Sequence, residues 1–357
     1  SAGMLLALGF STVVLVSTPF LIPEVAADYG VGLAAASLVG MFQLGGFGIA
    51  SWAAGRFLRP TRGVLVGSLV LAIAVNALSA LLPPIQVLLG LRFGSGLAIG
   101  TITWFAWANA FGQKKTMARV AVVGPIIAVG ATPAVAVVLS HFGMAGLFVM
   151  LAFLPLIPLV FARGVPLGVK QQPKSRHGAV TRARLVLLAL TMFSLGGSAV
   201  FTFGVTIAAR ELGLAASAVA IGYTANAVVS IPAAGWTGRR TIPSPWMAGT
   251  ALCAFFVATA FTSVLFFIAV AAWGFCYWMA IPGVFEVLAQ ASAYPEERAG
   301  DAQAMMAVGR VVGPFVGGLL LDRSGPLALG LVGSGLMLSA AAIVFAGRET
   351  TADSRIG

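Results

Sequence analysis

Three charged side chains lie inside long apolar stretches of the chain, and their types indicate its chemistry. Arg92 and Arg310 are arginines among uncharged residues, and Glu286 is a carboxylate in another such stretch. An arginine fork binds a carboxylate or a phosphate through two parallel hydrogen bonds. A charge inside a membrane is costly, and by default it marks a binding site or a pathway. These residues therefore predict binding of a small anion, with Glu286 as a candidate proton carrier.

Each of the three charges also has a structural interpretation. Arg92 could extend its side chain to the outer interface or cap neighbouring carbonyl groups. Arg310 could form an internal ion pair with Glu286, and Glu286 could equally be a partner of the loop at Arg298. The sequence leaves these alternatives open.

Aromatic and polar side chains accompany the charges at helical spacing. Thr103 and Trp107 follow Arg92 near the same helix face, and Trp273, Tyr277 and Trp278 form an aromatic cluster upstream of Glu286. We expect all five to contact substrate, although tryptophans also gather at membrane interfaces and in helix packing. Uncharged amides inside the apolar stretches are expected to form hydrogen bonds across helices: Gln43, Asn76, Asn109 and Asn226.

The composition decides which elements position these residues. The chain has 357 residues, of which 59% are hydrophobic and 9% are charged. An ordinary soluble domain is roughly one quarter charged. A soluble fold could not bury this much apolar surface, so the chain is predicted to be an all-α polytopic membrane protein. The first apolar stretch continues to about Leu21 without a cleavage-site pattern, which predicts a spanning helix and not a signal peptide.

The apolar segments are long enough to span a bilayer, which takes roughly 20 residues of helix. We predict twelve such segments, and the least marked boundary is the uncharged one at 261–267. They are residues 3–22, 33–54, 63–82, 86–110, 118–140, 144–162, 184–207, 216–236, 246–262, 264–290, 301–321 and 326–346.

The net charge of +11 is explained by membrane topology. Basic residues concentrate in cytoplasmic loops, and here almost all of them fall in one set of loops. The opposite set holds Arg210 and Arg323, and the two remaining arginines are Arg92 and Arg310. The even number of spans puts both termini on one side, and the asymmetry of basic residues predicts that this side is the cytoplasm of a cell with a cytoplasmic (inner) membrane. The charge does not predict nucleic-acid binding.

A basic linker divides the predicted spans into two sets of six. The domains are therefore an N-terminal six-helix bundle at 1–162, a cytoplasmic linker at 163–183 and a C-terminal six-helix bundle at 184–357, related by pseudo-symmetry. The turn after the second span contains Gly55, Arg56 and Arg59, and the turn after the eighth contains Arg239 and Arg240. This repetition of glycine and arginine at the same place predicts a conformational role for both cytoplasmic turns.

In its span count, loop lengths and these turns, the whole chain resembles the major facilitator superfamily of secondary transporters. Arg56, Phe57 and Arg59 match the family's turn after the second span, whereas Gly55 replaces the acidic residue that helps latch one conformation. Arg92 and Gly96 match its Arg-x-x-x-Gly pattern in the fourth span. The family's drug-antiporter signature is not met around Gly124 and Pro125. The resemblance implies that spans 1, 4, 7 and 10 line a central cavity.

The predicted function is secondary active transport of a small organic anion, such as a carboxylate, by alternating access. Arg92 and Arg310 would clamp the anion, and a proton or other ion gradient would drive symport. Proton-driven efflux of lipophilic or cationic compounds is the alternative. We expect no enzyme activity, because the sequence contains no catalytic dyad or cofactor fingerprint. We also expect no cofactor and no metal. The predicted partners are a small-molecule substrate and the lipid bilayer, and the predicted oligomeric state is a monomer.

Overall fold

A computed structural model describes residues 2–110, 114–164, 179–235, 242–292 and 295–353, and all regular elements within them are helices. A short 3₁₀ helix, Phe161–Gly164, follows α6. The α-helices are α1 Ala2–Asp28, α2 Leu33–Phe57, α3 Arg62–Ser79, α4 Ile85–Ala110, α5 Lys114–Phe153, α6 Leu156–Val160, α7 Thr181–Leu212, α8 Ala216–Gly235, α9 Ser244–Thr259, α10 Ser263–Gln290 and α11 Pro295–Asp353.

Most of these helices can cross a bilayer. Nine apolar helical stretches in the described ranges are long enough to span, and the apolar helix Ser244–Thr259 is shorter. A helix satisfies its own backbone hydrogen bonds, which is required where lipid offers no partners. Large apolar side chains also point outward, such as Ile221, which is 68% exposed, and Val264, which is 67% exposed. Many large exposed apolar side chains on long apolar helices are typical of a multi-pass membrane protein.

Two of the apolar stretches are bent at a glycine. Gly143 within α5 has φ 61° and ψ −163°, and Gly325 within α11 has φ 79° and ψ −179°. A side chain would strain both conformations, so glycine is required where the chain leaves helical geometry. The apolar stretches around these bends contain 42 and 43 residues. At 1.5 Å per residue each is roughly 60 Å long, about twice the hydrocarbon thickness.

The chain divides into two compact units. The first comprises Ser1–Pro173 with Ala215–Thr224, and the second comprises Lys174–Leu214 with Ala225–Gly357. The first turns of α8 thus belong to the first unit. The predicted domain boundaries remain a prediction, because most of the 163–183 linker lies outside the described residues.

Within the first unit, α2 and α4 approach each other along glycines. A methyl group at Gly96 would overlap the carbonyl oxygen of Gln43, and one at Gly100 would overlap that of Phe47. Gln43 also donates a 3.0 Å hydrogen bond to the Thr18 hydroxyl, which ties α2 to α1. Small residues at such crossings let backbones pack closely where no hydrophobic force drives helices together.

Within the second unit, α7 and α11 pack in the same manner. Glycines at every fourth position of α11 face the backbone of α7, where a methyl group at Gly309 would overlap the carbonyl of Thr191. Ser198 of α7 donates a 3.2 Å hydrogen bond to the Gly309 carbonyl. Asn226 of α8 similarly donates to the Val270 carbonyl of α10 at 2.7 Å. This close packing fixes the rotation of α7, α10 and α11, and therefore the direction of the side chains between them.

Candidate functional site

Arg92 lies wholly inside the first unit, with 0% of its surface exposed. Its Nη2 donates hydrogen bonds to Asn76 Oδ1 at 2.9 Å and to Ser79 Oγ at 2.7 Å, both on α3. The guanidinium carbon lies 4.6 Å from the centre of the Phe148 ring, a cation–π contact. Nε forms no hydrogen bond to any residue that the structure describes. Arg92 thus joins α4 to α3 and to the segment after the Gly143 bend.

These contacts leave the Arg92 side chain no surface on which a substrate could bind in this conformation. Thr103 and Trp107, which share its helix, are each half-buried. The residues expected on one face of α4 therefore differ in exposure: Arg92 is enclosed, whereas Thr103 and Trp107 are partly exposed. The alternative in which Arg92 extends to the outer interface does not describe this conformation either, because the side chain is enclosed by protein.

The two partners of Arg92 were not both predicted from the sequence, because Ser79 was not among the candidate residues. Asn76 was expected to bond across helices, and it does so as the acceptor for Arg92. Both side chains also donate to carbonyls of their own helix, Asn76 to Ala72 at 2.7 Å and Ser79 to Val75 at 2.6 Å. Their spacing of three residues on α3 is the signal that could have identified a polar pair on one face.

Arg310 has a different environment, where α7, α10 and α11 meet in the second unit. It is half-buried and lies midway between the start of α11 at Pro295 and the bend at Gly325. Its Nη2 donates a 2.7 Å hydrogen bond to the hydroxyl of Tyr277 on α10. A guanidinium carries five N–H donors, and this is the one hydrogen bond that Arg310 forms to a described residue.

The Tyr277 ring is held in place by Phe193 of α7. The two rings are stacked, with centroids 6.1 Å apart and planes 17° from parallel. Phe193 is 1% exposed, so it forms a fixed wall behind the tyrosine. Sequence reasoning missed Phe193, because α7 is apolar around most of its circumference and its pattern does not indicate which phenylalanine faces α10.

The two tryptophans of α10 have unequal positions relative to Arg310. Trp278 is half-buried and meets the Tyr277 ring edge-on, with centroids 6.0 Å apart and planes at 84°. Trp273 is 5% exposed and packs on Phe201 at 5.3 Å, so it mainly joins α10 to α7. The aromatic cluster expected on α10 thus has Tyr277 at the arginine, Trp278 beside it and Trp273 in a packing position.

Glu286 is exposed, near the end of α10. It forms no ion pair with Arg310, although the structure describes both residues. The ion pair proposed as an alternative for Arg310 is therefore absent from this conformation. Glu286 is the ninth residue after Tyr277, so its Cα lies about 13 Å farther along the helix.

Only part of the glycine- and arginine-containing turn motif after the second predicted span, and of its counterpart after the eighth, can be located. Gly55 and Arg59 are exposed, and Arg56 lies in the last turn of α2, which ends at Phe57. The Arg56 side chain is outside the described part, and so are Arg239 and Arg240. In the ranges that the structure does describe, no group of three metal-ligating side chains occurs.

Comparison with known proteins identifies the fold. No protein-family model and no curated protein sequence matches this chain. Among solved structures, the human organic anion transporter MFSD10 (TETRAN) superimposes with a TM-score of 0.71 at 15% identity, covering 96% of this chain and 97% of that one. A bacterial homolog of the human lysosomal transporter Spinster, in an inward-facing and occupied conformation, gives a TM-score of 0.76 at 12% identity, covering 98% and 96%.

Both similar structures are transporters and not enzymes. The similarity extends over nearly the whole length of each chain. It shows that this chain has the fold of these two transporters.

Proposed function

We propose that this protein is a secondary active transporter that moves a small organic anion across the cytoplasmic membrane by alternating access. One observation carries the proposal: the half-buried Arg310 guanidinium lies midway between the start of α11 and the Gly325 bend, and the Tyr277 hydroxyl holds it. A carboxylate would make charge-assisted hydrogen bonds to the remaining donors, which are stronger than a neutral hydrogen bond. A cation this far from both helix ends is costly unless an anion compensates it.

The proposal assigns different roles to the two arginines. Arg310 contacts the anion, and Tyr277 and Trp278 shape its surroundings. Arg92 acts as a buried tie between α3 and α4, because its Nη2 bonds to both α3 side chains and the whole side chain is enclosed within the first unit. The two-arginine clamp expected from the sequence is thus reduced to one arginine, with Thr103 and Trp107 as further candidates for substrate contact on α4.

Twelve crossings in two six-helix halves complete the proposed architecture. The bends at Gly143 and Gly325 each divide an apolar stretch of about twice the membrane thickness. Counting each such stretch as two crossings, and α9 as one, gives an even number. This arrangement places both termini in the cytoplasm and is supported by the strongly asymmetric distribution of basic residues.

Uptake by purified protein in liposomes tests the proposal. A panel of labelled mono- and dicarboxylates is offered with and without an imposed proton gradient. We expect Arg310→Gln to lower kcat/KM for the transported anion more than about tenfold, which corresponds to about 1.4 kcal/mol. Arg310→Lys should retain part of the activity, because it keeps the charge and loses the fork.

Arg323→Gln is the matched control. Arg323 belongs to the same helix but is exposed beside the Gly325 bend, so its loss should leave uptake unchanged. Normal uptake by Arg310→Gln would contradict the anion contact. Resistance to lipophilic cations in an efflux-deficient host, without uptake of any carboxylate, would instead support the efflux alternative.

A further inference from the structure

We infer that the anion taken at Arg310 carries a single negative charge and an apolar, ring-containing body; this inference rests on the proposed function and specifies its substrate class. The site joins one half-buried guanidinium to a tyrosine ring that is stacked on a fixed phenylalanine. An amphipathic monocarboxylate matches both features, because its charge meets the arginine while its body meets aromatic carbon.

The number of charges at the site limits the charge of the ligand. In the described helices of the second unit, Arg310 is the one cation away from helix ends and bends. Arg182 and Arg184 begin α7 and Arg210 ends it, Arg298 and Arg348 lie near the two ends of α11, and Arg323 adjoins Gly325. Arg92 is enclosed in the first unit and already bonded. A second carboxylate on the ligand would therefore be desolvated without a cation to compensate it.

The same count disfavours a zwitterion. An amino acid needs a carboxylate or several acceptors for its ammonium group. Glu286 lies about 13 Å from Tyr277 along α10, which exceeds the separation of the two charged groups in an α-amino acid. The hydroxyl that faces Arg310 is the phenol of Tyr277, which already accepts from the guanidinium.

The surroundings of Arg310 favour an apolar body over a hydroxylated one. Two hydroxyl groups of α7 next to α11 already donate to backbone carbonyls, Thr191 to Leu187 at 3.1 Å and Ser198 to Leu195 and Gly309. The Ser194 hydroxyl between them forms no hydrogen bond to a described residue, but Ser194 is only 4% exposed, so a ligand cannot reach it in this conformation. Sugar-like ligands need many such groups left free. What α7 and α10 provide instead is the ring pair Phe193 and Tyr277, with Trp278 edge-on beside it.

The order of the rings indicates which residue sets this preference. Phe193 is buried behind Tyr277, so Tyr277 is the ring that a ligand can touch, and its hydroxyl is fixed by Arg310. Rings held in this way lose little conformational freedom on binding, which favours a flat apolar ligand. Tyr277 therefore couples recognition of the charge to recognition of the body.

A matched ligand series tests the inference with the full-length protein. Binding to protein in liposomes is measured for 3-phenylpropionate, propionate, phenylsuccinate, phenylalanine and 3-phenylpropionamide, with protein-free liposomes subtracted. We expect 3-phenylpropionate to bind at least tenfold more tightly than the other four. These lack, respectively, the ring, the single charge, the net charge and the charge altogether.

Two variants distinguish the parts of the site. Arg310→Gln should abolish the preference for the anion over the amide. Arg310→Lys keeps the charge and should retain part of this preference, and it tests the contact if Arg310→Gln folds poorly. Tyr277→Leu should remove at least fivefold of the preference for 3-phenylpropionate over propionate, whereas Tyr277→Phe should keep it. Arg323→Gln should bind all five ligands like the wild type.

The outcomes separate the inference from the proposed function. Tightest binding of phenylsuccinate or propionate, lost in Arg310→Gln, would overturn the inference and leave anion transport standing. If no anion of this series or of the mono- and dicarboxylate panel bound in a way that depends on Arg310, both the inference and the proposed function would be overturned. Tighter binding of the amide than of the acid would also overturn both.

Discussion

The guanidinium of Arg92 and the amide of Asn76 are joined by a 2.9 Å hydrogen bond between α4 and α3, in a position with no solvent exposure. The Asn76 amide nitrogen donates a hydrogen bond to the carbonyl of Ala72, so both the oxygen and the nitrogen of its amide have a partner. A hydrogen bond is electrostatically stronger in an enclosed position than in water, so this contact links the two helices, although Arg92 Nε bonds to no described residue. Arg92 is therefore expected to act on stability before it acts on substrate.

Replacing Arg92 should destabilise the protein and leave anion affinity nearly unchanged. Arg92→Gln leaves the acceptors of Asn76 and Ser79 unpaired, at a cost on the order of 1–3 kcal/mol. Thermal unfolding in detergent and ligand binding at low temperature measure the two effects. An unchanged unfolding temperature with lost anion binding would make Arg92 a substrate contact.

A double-mutant cycle should show that Arg92 and Asn76 act together. The cost of Arg92→Gln combined with Asn76→Ala is expected to be smaller than the sum of the single costs, because each variant removes the same hydrogen bond. Distant, independent sites add within about 0.5 kcal/mol. Additivity within that margin would refute the network.

Substituting two glycines of α4 should have opposite consequences. In Gly96→Ala the new methyl group would overlap the backbone of Gln43, so α2 and α4 would have to separate, at about 1–3 kcal/mol. Gly90→Ala is the control on the same helix, because no described atom outside the local backbone of α4 lies within 4 Å of the position of its methyl group. That variant should be neutral or slightly stabilising, since alanine favours helix. Equal unfolding temperatures for the two variants would contradict the packing.

Removing the Glu286 carboxylate tests the proposed coupling to protons. Glu286→Gln is expected to bind the anion like the wild type, because the Glu286 Cα lies about 13 Å from that of Tyr277 along α10. Accumulation driven by a proton gradient should be lost, whereas exchange of labelled for unlabelled anion across the membrane should persist. Accumulation at the wild-type level would assign coupling to another group or another ion.

Cysteine labelling tests the proposed twelve crossings. In a background lacking Cys253 and Cys276, single cysteines replace His141 and Ser324, which lie just before the Gly143 and Gly325 bends, and Arg59 in the turn after α2. All three positions are exposed. A membrane-impermeant maleimide should label the first two in intact cells and Arg59→Cys only after permeabilisation. Labelling of all three from one side would contradict the topology.

The helices themselves were predictable from the sequence. The expected segments 33–54 and 264–290 correspond closely to α2, Leu33–Phe57, and α10, Ser263–Gln290. Even the least marked boundary, at 261–267, contains a helix start, because Thr262 caps α10 by accepting a hydrogen bond from the Leu265 backbone. Apolar runs of this length have one stable backbone conformation in lipid, so local composition suffices to predict them.

The partners of the charged residues were decided only by the tertiary structure. A helix that is apolar around its circumference shows no periodic face, so the sequence could not indicate that Arg92 would be enclosed by α3 or that Arg310 would meet Tyr277. Those outcomes depend on how far each helix is rotated, and close contacts at glycines such as Gly96 and Gly309 set that rotation. The sequence thus determined which residues are costly in a membrane, and packing between helices decided which of them is enclosed and which remains open to a ligand.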